Sequence, residues 1–149
     1  MAPTPKRSDF EARLALLRGY LDCLNGLLPP SQAEFESDAV VSGAARYYLI
    51  CSMLCALDAT RQAIAFRGCR IPREFQDVFN VLYEEGLIEL ALVASLRKLD
   101  ALRYRLTQIY WDVDDPEVYT SLEEGLSCLE QLLAALALAW PESAEEASP

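Results

Sequence analysis

Apolar residues recur at intervals of three and four along nearly the whole chain, and no stretch alternates with the period of two that a half-buried strand needs. That spacing draws one apolar stripe down each of several helices, and such stripes are buried only against one another. The chain is therefore expected to be all-α: an up-and-down bundle of four long helices with one or two short ones. Phe10, Leu14, Leu17, Leu21, Leu24 and Leu28 trace a first helix over about 9–28. Val41, Ala45, Tyr48, Ser52, Cys55, Ala59 and Ala63 trace a second over about 38–67, broadened by Leu49, Met53, Ala56 and Leu57. A helix apolar over so much of its girth is central, or faces both a core and a partner chain. A shorter helix over about 73–85 would bury Phe75, Val78, Phe79 and Leu82. The next, over about 88–111, would bury Leu90, Val93, Ala94, Leu96 and Leu99. The last, over about 116–139, carries Val118, Leu122, Leu126, Leu129, Leu133 and Leu136.

The breaks between these stripes have their own chemistry. Ser8 with Glu11 reads as a capping box, and Ser31 with Glu34 as a second, weaker one. Pro29-Pro30 cannot continue a helix. Gly68 and Gly86 fit helix stops, and Asp114-Asp115-Pro116 fits a helix start with a carboxylate cap. These limits predict a single helical domain over 8–140, with flexible tails at 1–7 and 141–149.

The charge balance and one missing residue type bound the chemistry. Thirteen Lys and Arg face 23 Asp and Glu, a net charge of −10. Such a surface repels phosphate backbones and anionic membranes, so any RNA binding needs a local basic patch. No 18-residue run is wholly apolar, and no membrane span is expected. The N-terminal stretch lacks the apolar core of a signal peptide, and the five cysteines are an odd set. Both point to reduced thiols in a cytoplasm. Histidine is absent altogether, so any acid–base chemistry must use groups whose ordinary pKa lies further from neutrality.

Four constellations stand out. Arg97, Lys98, Arg103 and Arg105 crowd one helix of an acidic protein. They read either as a solvated face balanced by Asp100, Asp112 and Asp114, or as a site for phosphate or an acidic partner. Arg103 and Tyr110, seven apart, would share one helix face two turns from each other. Cys51 and Cys55 have the spacing of a metal pair, but without histidine they read as core packing, as do Cys23, Cys69 and Cys128. Asp112, Asp114, Asp115 and Glu117 read as favourable charges at a helix start rather than catalytic carboxylates or a metal site. No metal and no cofactor is expected.

The segment LRYRLTQIYWDVDDPEVYTSL resembles the hallmark of the HepT-like branch of the HEPN family. There Arg-Asn, three residues, His, one residue and Tyr precede an acidic stretch and a final helix opening with Glu-Val-Tyr. Arg103 matches the Arg and Tyr110 the Tyr. Upstream, RGCRIPREFQDVFNVLYEEGLI and Asp58 also fit, so the resemblance spans roughly 8–138. It implies a toxin of a toxin–antitoxin pair, a metal-independent ribonuclease working at a homodimer crevice. It implies as partner a minimal nucleotidyltransferase that silences the toxin by adding AMP to the motif tyrosine, here Tyr110.

The chain departs from that pattern at the chemistry. Gln108 stands at the family's His position and Tyr104 at its Asn position, while Ile50 and Leu54 replace Gln and Glu ahead of Asp58. RNA cleavage needs the ribose 2′-hydroxyl deprotonated and the leaving oxygen protonated. Gln can only hydrogen-bond, and the lost acid–base help is worth about 10²–10⁴-fold. The expectation is a toxin-family protein with weak or no ribonuclease activity, in which Arg97, Arg103 and Arg105 could still hold phosphate. The alternative is a dimeric, non-catalytic binding subunit of the nucleotidyltransferase.

Overall fold

The computed structural model describes residues 4–141. Six α-helices and one 3-10 turn follow in order: α1 (Arg7–Leu27), α2 (Gln32–Ser37), α3 (Ala39–Phe66), α4 (Asp77–Glu84), α5 (Leu90–Gln108), the turn Tyr110–Asp112, and α6 (Asp115–Ala139). No strand forms among the described residues. α1, α3, α5 and α6 are the four long helices, and α2 and α4 the two short ones. The outer segments 1–3 and 142–149, expected as tails, lie outside the described residues.

The long helices run alternately up and down. Arg13 meets Cys55, Tyr20 meets Tyr48, and Phe10 reaches the end of α3 through Trp140, so α1 and α3 are antiparallel. The Cys55 thiol donates to the Arg13 carbonyl at 3.1 Å, and burial pushes its pKa up to about 11. It behaves as a small apolar side chain. Cys23, in contrast, is exposed, because the α1 stripe runs through Leu21 and Leu24 on either side of it.

α3 is the central element, packing against α1, α2, α4, α5 and α6. Twelve of its side chains are buried within the chain, from Ser42 to Ile64. By length and composition α3 is apolar enough to cross a membrane, with mean hydropathy 1.5 over 18 residues; in the fold, 44% of that window is buried against its neighbours. The residual apolar girth is a narrow outward stripe of Val40, Tyr47 and Leu54.

Several helix limits differ from the sequence pattern, each for a local reason. Ser8 caps nothing: α1 starts two residues earlier than expected, at Arg7, whose guanidinium reaches Glu11 at 2.8 Å and the Trp140 carbonyl at 2.7 Å. Arg7 and Arg67 thus accept the role of capping the end of α6, which exposes unpaired carbonyls like any helix C-terminus. Trp140 stacks on Phe66 with ring centroids 4.0 Å apart. Ser31 and Asp38 cap α2 and α3 through side-chain oxygens. Gly68 and Gly86 take φ of +68° and +74°, where a Cβ would be strained.

α4 is shorter than the periodicity suggests because Asp77 organises the residues before it. It accepts from Arg70 at 2.7 and 3.1 Å, from the Arg73 backbone at 2.8 Å and from Asn80 at 3.0 Å. Those bonds hold its carboxyl far below the usual range and keep residues 70–76 out of the helix. Phe75 is consequently half-exposed rather than core. In α5 the buried stripe is Leu92, Val93, Leu96, Leu99, Leu102 and Leu106; Leu90 and Ala94 face outward instead.

Candidate functional site

A cleft of about 460 Å³ opens where the loop before α4 meets the C-terminal half of α5. Its walls are Glu74, Phe75 and Gln76 on one side and Asp100, Arg103, Tyr104, Thr107 and Gln108 on the other. Arg103, Tyr104 and Gln108 are therefore brought together. Asp100 and Arg103 occupy the three–four phase of the helix's inner stripe, continuing from Leu96, so both point inward.

The chemistry of the cleft centres on Arg103. Its Nε donates to Asp100 Oδ1 at 2.6 Å, and Asp100 Oδ2 accepts from Gln76 Nε2 at 2.8 Å. Asp100 is 2% exposed and the Arg103 side chain 13%. A carboxylate this deep is stabilised by pairing, and removing either partner of such a pair costs about 3–5 kcal/mol. Arg103 also lies 5.7 Å above the Phe75 ring, while Arg61 covers the same ring at 4.4 Å. Arg61 in turn pairs with Asp58 at 3.1 Å. Asp58, Arg61, Phe75, Arg103, Asp100 and Gln76 form one connected string from α3 to α5.

The cations of α5 do not form a common patch. Arg97 is exposed on the outward stripe with Leu90, Ala94, Ala101, Tyr104 and Gln108. Lys98 lines a small groove between α5 and α6. Arg105 turns to the far side, where it makes a bidentate ion pair with Glu117 and donates to the Asp112 carbonyl at 3.1 Å. Glu117 raises its pKa.

Tyr110 does not continue the α5 face that carries Arg103. Ile109 leaves the helix with φ −134° and ψ 47°, and Tyr110 starts a 3-10 turn. The turn is held by Arg105 on Asp112 and by Arg46 on the Val113 carbonyl at 3.4 Å, with Val113 buried beneath. Tyr110 and Trp111 are left 68% and 72% exposed, their rings edge to face at 5.3 Å. The acidic set is structural: Asp114 caps α6, Asp115 pairs with Arg46 at 2.6 Å, and Glu117 holds Arg105.

Sequence reading missed Arg61, Phe75 and Gln76, whose roles depend on a loop conformation. For Asp100 a signal existed: a carboxylate at a core-phase position, one turn before an arginine.

The molecule is thus an all-helical bundle with an arginine in the cleft between α5 and the loop before α4. Residues 17–136 match the family described as ribonuclease HepT-like, and the chain belongs to that family. No curated protein matches it in sequence. Among solved structures it is similar to the cytosolic protein YutE of Bacillus subtilis, of unknown function. That pair has 22% identity and a TM-score of 0.77 over 92% of each chain. It is also similar to a tri-AMPylated HEPN toxin of Shewanella oneidensis in complex with its MNT antitoxin. There the identity is 17% and the TM-score 0.78 over 87% of this chain and 96% of that one. A toxin–antitoxin structure with AMP-PNP is similar to the same degree, at 16% identity and TM-score 0.78, covering 87% and 97%. At these identities the likeness is one of fold.

Proposed function

We propose that this protein is the toxin-family member of a toxin–antitoxin pair, with weak or no ribonuclease activity. The observation that carries the proposal is Gln108 at the edge of the Arg103 cleft. Apart from the Glu74 and Asp100 carboxylates the cleft lining holds cationic, amide, hydroxyl and aromatic side chains and no imidazole, and Asp100 is engaged by Arg103 and Gln76. An arginine beside a phosphate does not by itself move the two protons that cleavage requires.

The partner is a minimal nucleotidyltransferase, the class of antitoxin bound to the Shewanella neighbour, and the target of AMP transfer is Tyr110. The exposed hydroxyl on a braced turn supports this assignment. The chain works as a homodimer through the outward stripes of α3 and α5, and in the cytoplasm, the compartment given for the Bacillus neighbour. A second reading, a purely binding subunit of the nucleotidyltransferase, is favoured by the buried Asp100–Arg103 pair, which needs no substrate to satisfy it.

The test compares wild type with Gln108→His, Tyr104→Asn on single-stranded RNA in chelator. Wild type should cleave more slowly by about 10²-fold or more, the usual worth of a general acid–base group. Wild-type cleavage at the rate of the double variant, abolished in Arg103→Ala, would refute the proposal.

A further inference from the structure

Arg103 is the cation of α5 that enters the cleft, and its charge is already matched there. The buried Asp100 carboxylate holds Nε, and the Gln76 bond to its other oxygen keeps it from swinging away. Glu74 stands on the opposite wall. The cleft lining therefore carries two negative charges, Glu74 and Asp100, against one positive, Arg103. Arg61 adds a positive charge beyond Phe75 but is paired with Asp58. Among the described residues the Nη nitrogens of Arg103 make no hydrogen bond, so the guanidinium keeps donors for a ligand. What opposes an anion there is the field.

We infer that Asp100 is the specificity-determining residue of this cleft: it takes the counter-ion position on Arg103 and sets the cleft against phosphate. The inference rests on the reading of the cleft as a weakened ribonuclease site. A phosphate oxygen on the fork would lie within about 5 Å of the Asp100 carboxylate. At the effective dielectric of a partly buried site, that repulsion is worth on the order of a hundredfold in affinity. An arginine with no carboxylate behind it would attract the same phosphate through a bidentate pair. Asp100 thus explains in one residue how a cleft can keep the family arginine and yet decline the RNA backbone.

The test is fluorescence anisotropy of the full chain with a 2′-O-methyl single-stranded RNA oligonucleotide, which cannot be cleaved, at low ionic strength. Asp100→Asn removes the charge and keeps an oxygen for Gln76. Its affinity should exceed that of wild type by about ten- to a hundredfold, and the gain should vanish in Asp100→Asn, Arg103→Met. A folded Asp100→Asn that binds no better than wild type would overturn the inference, because Asp100 would then merely orient Arg103. Should the variant fail to fold, the Arg103 Nε–H resonance of wild type decides the matter during titration with inorganic phosphate. It should stay in place, and a saturable shift would overturn the inference. Failure of the wider reading looks different: wild type would cleave RNA. A wild type that neither cleaves nor gains affinity on Asp100→Asn would remove this inference alone.

Discussion

Two side chains seven residues apart have different fates here because one residue between them leaves the helix. Arg103 turns inward to Asp100, while Tyr110, past the break at Ile109, is presented to solvent on a 3-10 turn. The turn is braced by Arg46 and Arg105, so the phenol is exposed without being loose. That suits an acceptor that another enzyme must reach: the hydroxyl is accessible and the backbone behind it costs little to hold. Incubation with the cognate nucleotidyltransferase, ATP and magnesium should raise the intact mass of the wild type by one or more AMP groups. Tyr110→Phe should lose the addition. Labelling of Tyr110→Phe equal to wild type would move the acceptor elsewhere.

At the scale of the element, Gly125 lets α5 and α6 approach closely. A Cβ built on Gly125 would lie 2.6 and 2.9 Å from the two methyls of Leu99, which is itself 4% exposed. Gly is tolerated in the middle of α6, despite its poor helix propensity, because it lets Leu99 lie against the backbone. That contact fixes the height of α5, and with it the position of Asp100 and Arg103 one residue and one turn further on. Gly125→Val should destabilise the fold by about 1–3 kcal/mol, the usual cost of overpacking. Chemical denaturation would measure it, and an unchanged midpoint would show that Leu99 has room to move. Gly125→Ala is a milder version, since Ala recovers about 1 kcal/mol of helix propensity.

For the whole molecule, the central position of α3 changes the argument for assembly. Twelve of its side chains are buried within one chain, by five neighbouring helices. What remains for a second copy is the outward stripe of Val40, Tyr47 and Leu54 on α3, together with Leu90, Ala94, Ala101 and Tyr104 on α5. Scattered apolar side chains are normal on a surface, whereas aligned ones on two helices are the pattern of an isologous contact. Sedimentation equilibrium at micromolar concentration should give twice the chain mass of 16.6 kDa. Replacement of Leu90 and Tyr104 by Glu should return it to the monomer. A wild-type monomer under those conditions would rule the assembly out.

The helix count, the bundle and the family were legible in the sequence, because a stripe repeating every three to four residues is a local property that survives any packing. The caps at Ser31, Asp38 and Asp114 and the turns at Gly68 and Gly86 obey equally local chemistry. The tertiary structure decided which apolar residues face inward: Phe75, Leu90 and Ala94 carry the right character but the wrong phase once α4 is shortened by Asp77 and α5 settles on Gly125. It also decided the partners of the charges. Arg103 and Arg105 are two residues apart, yet one meets Asp100 and Gln76 and the other Glu117, because successive side chains on a helix diverge by about 100°. Asp100 is near Arg103 in the chain and Glu117 near Arg105, but the Gln76 that locks Asp100 comes from the loop before α4, and only packing brings it there.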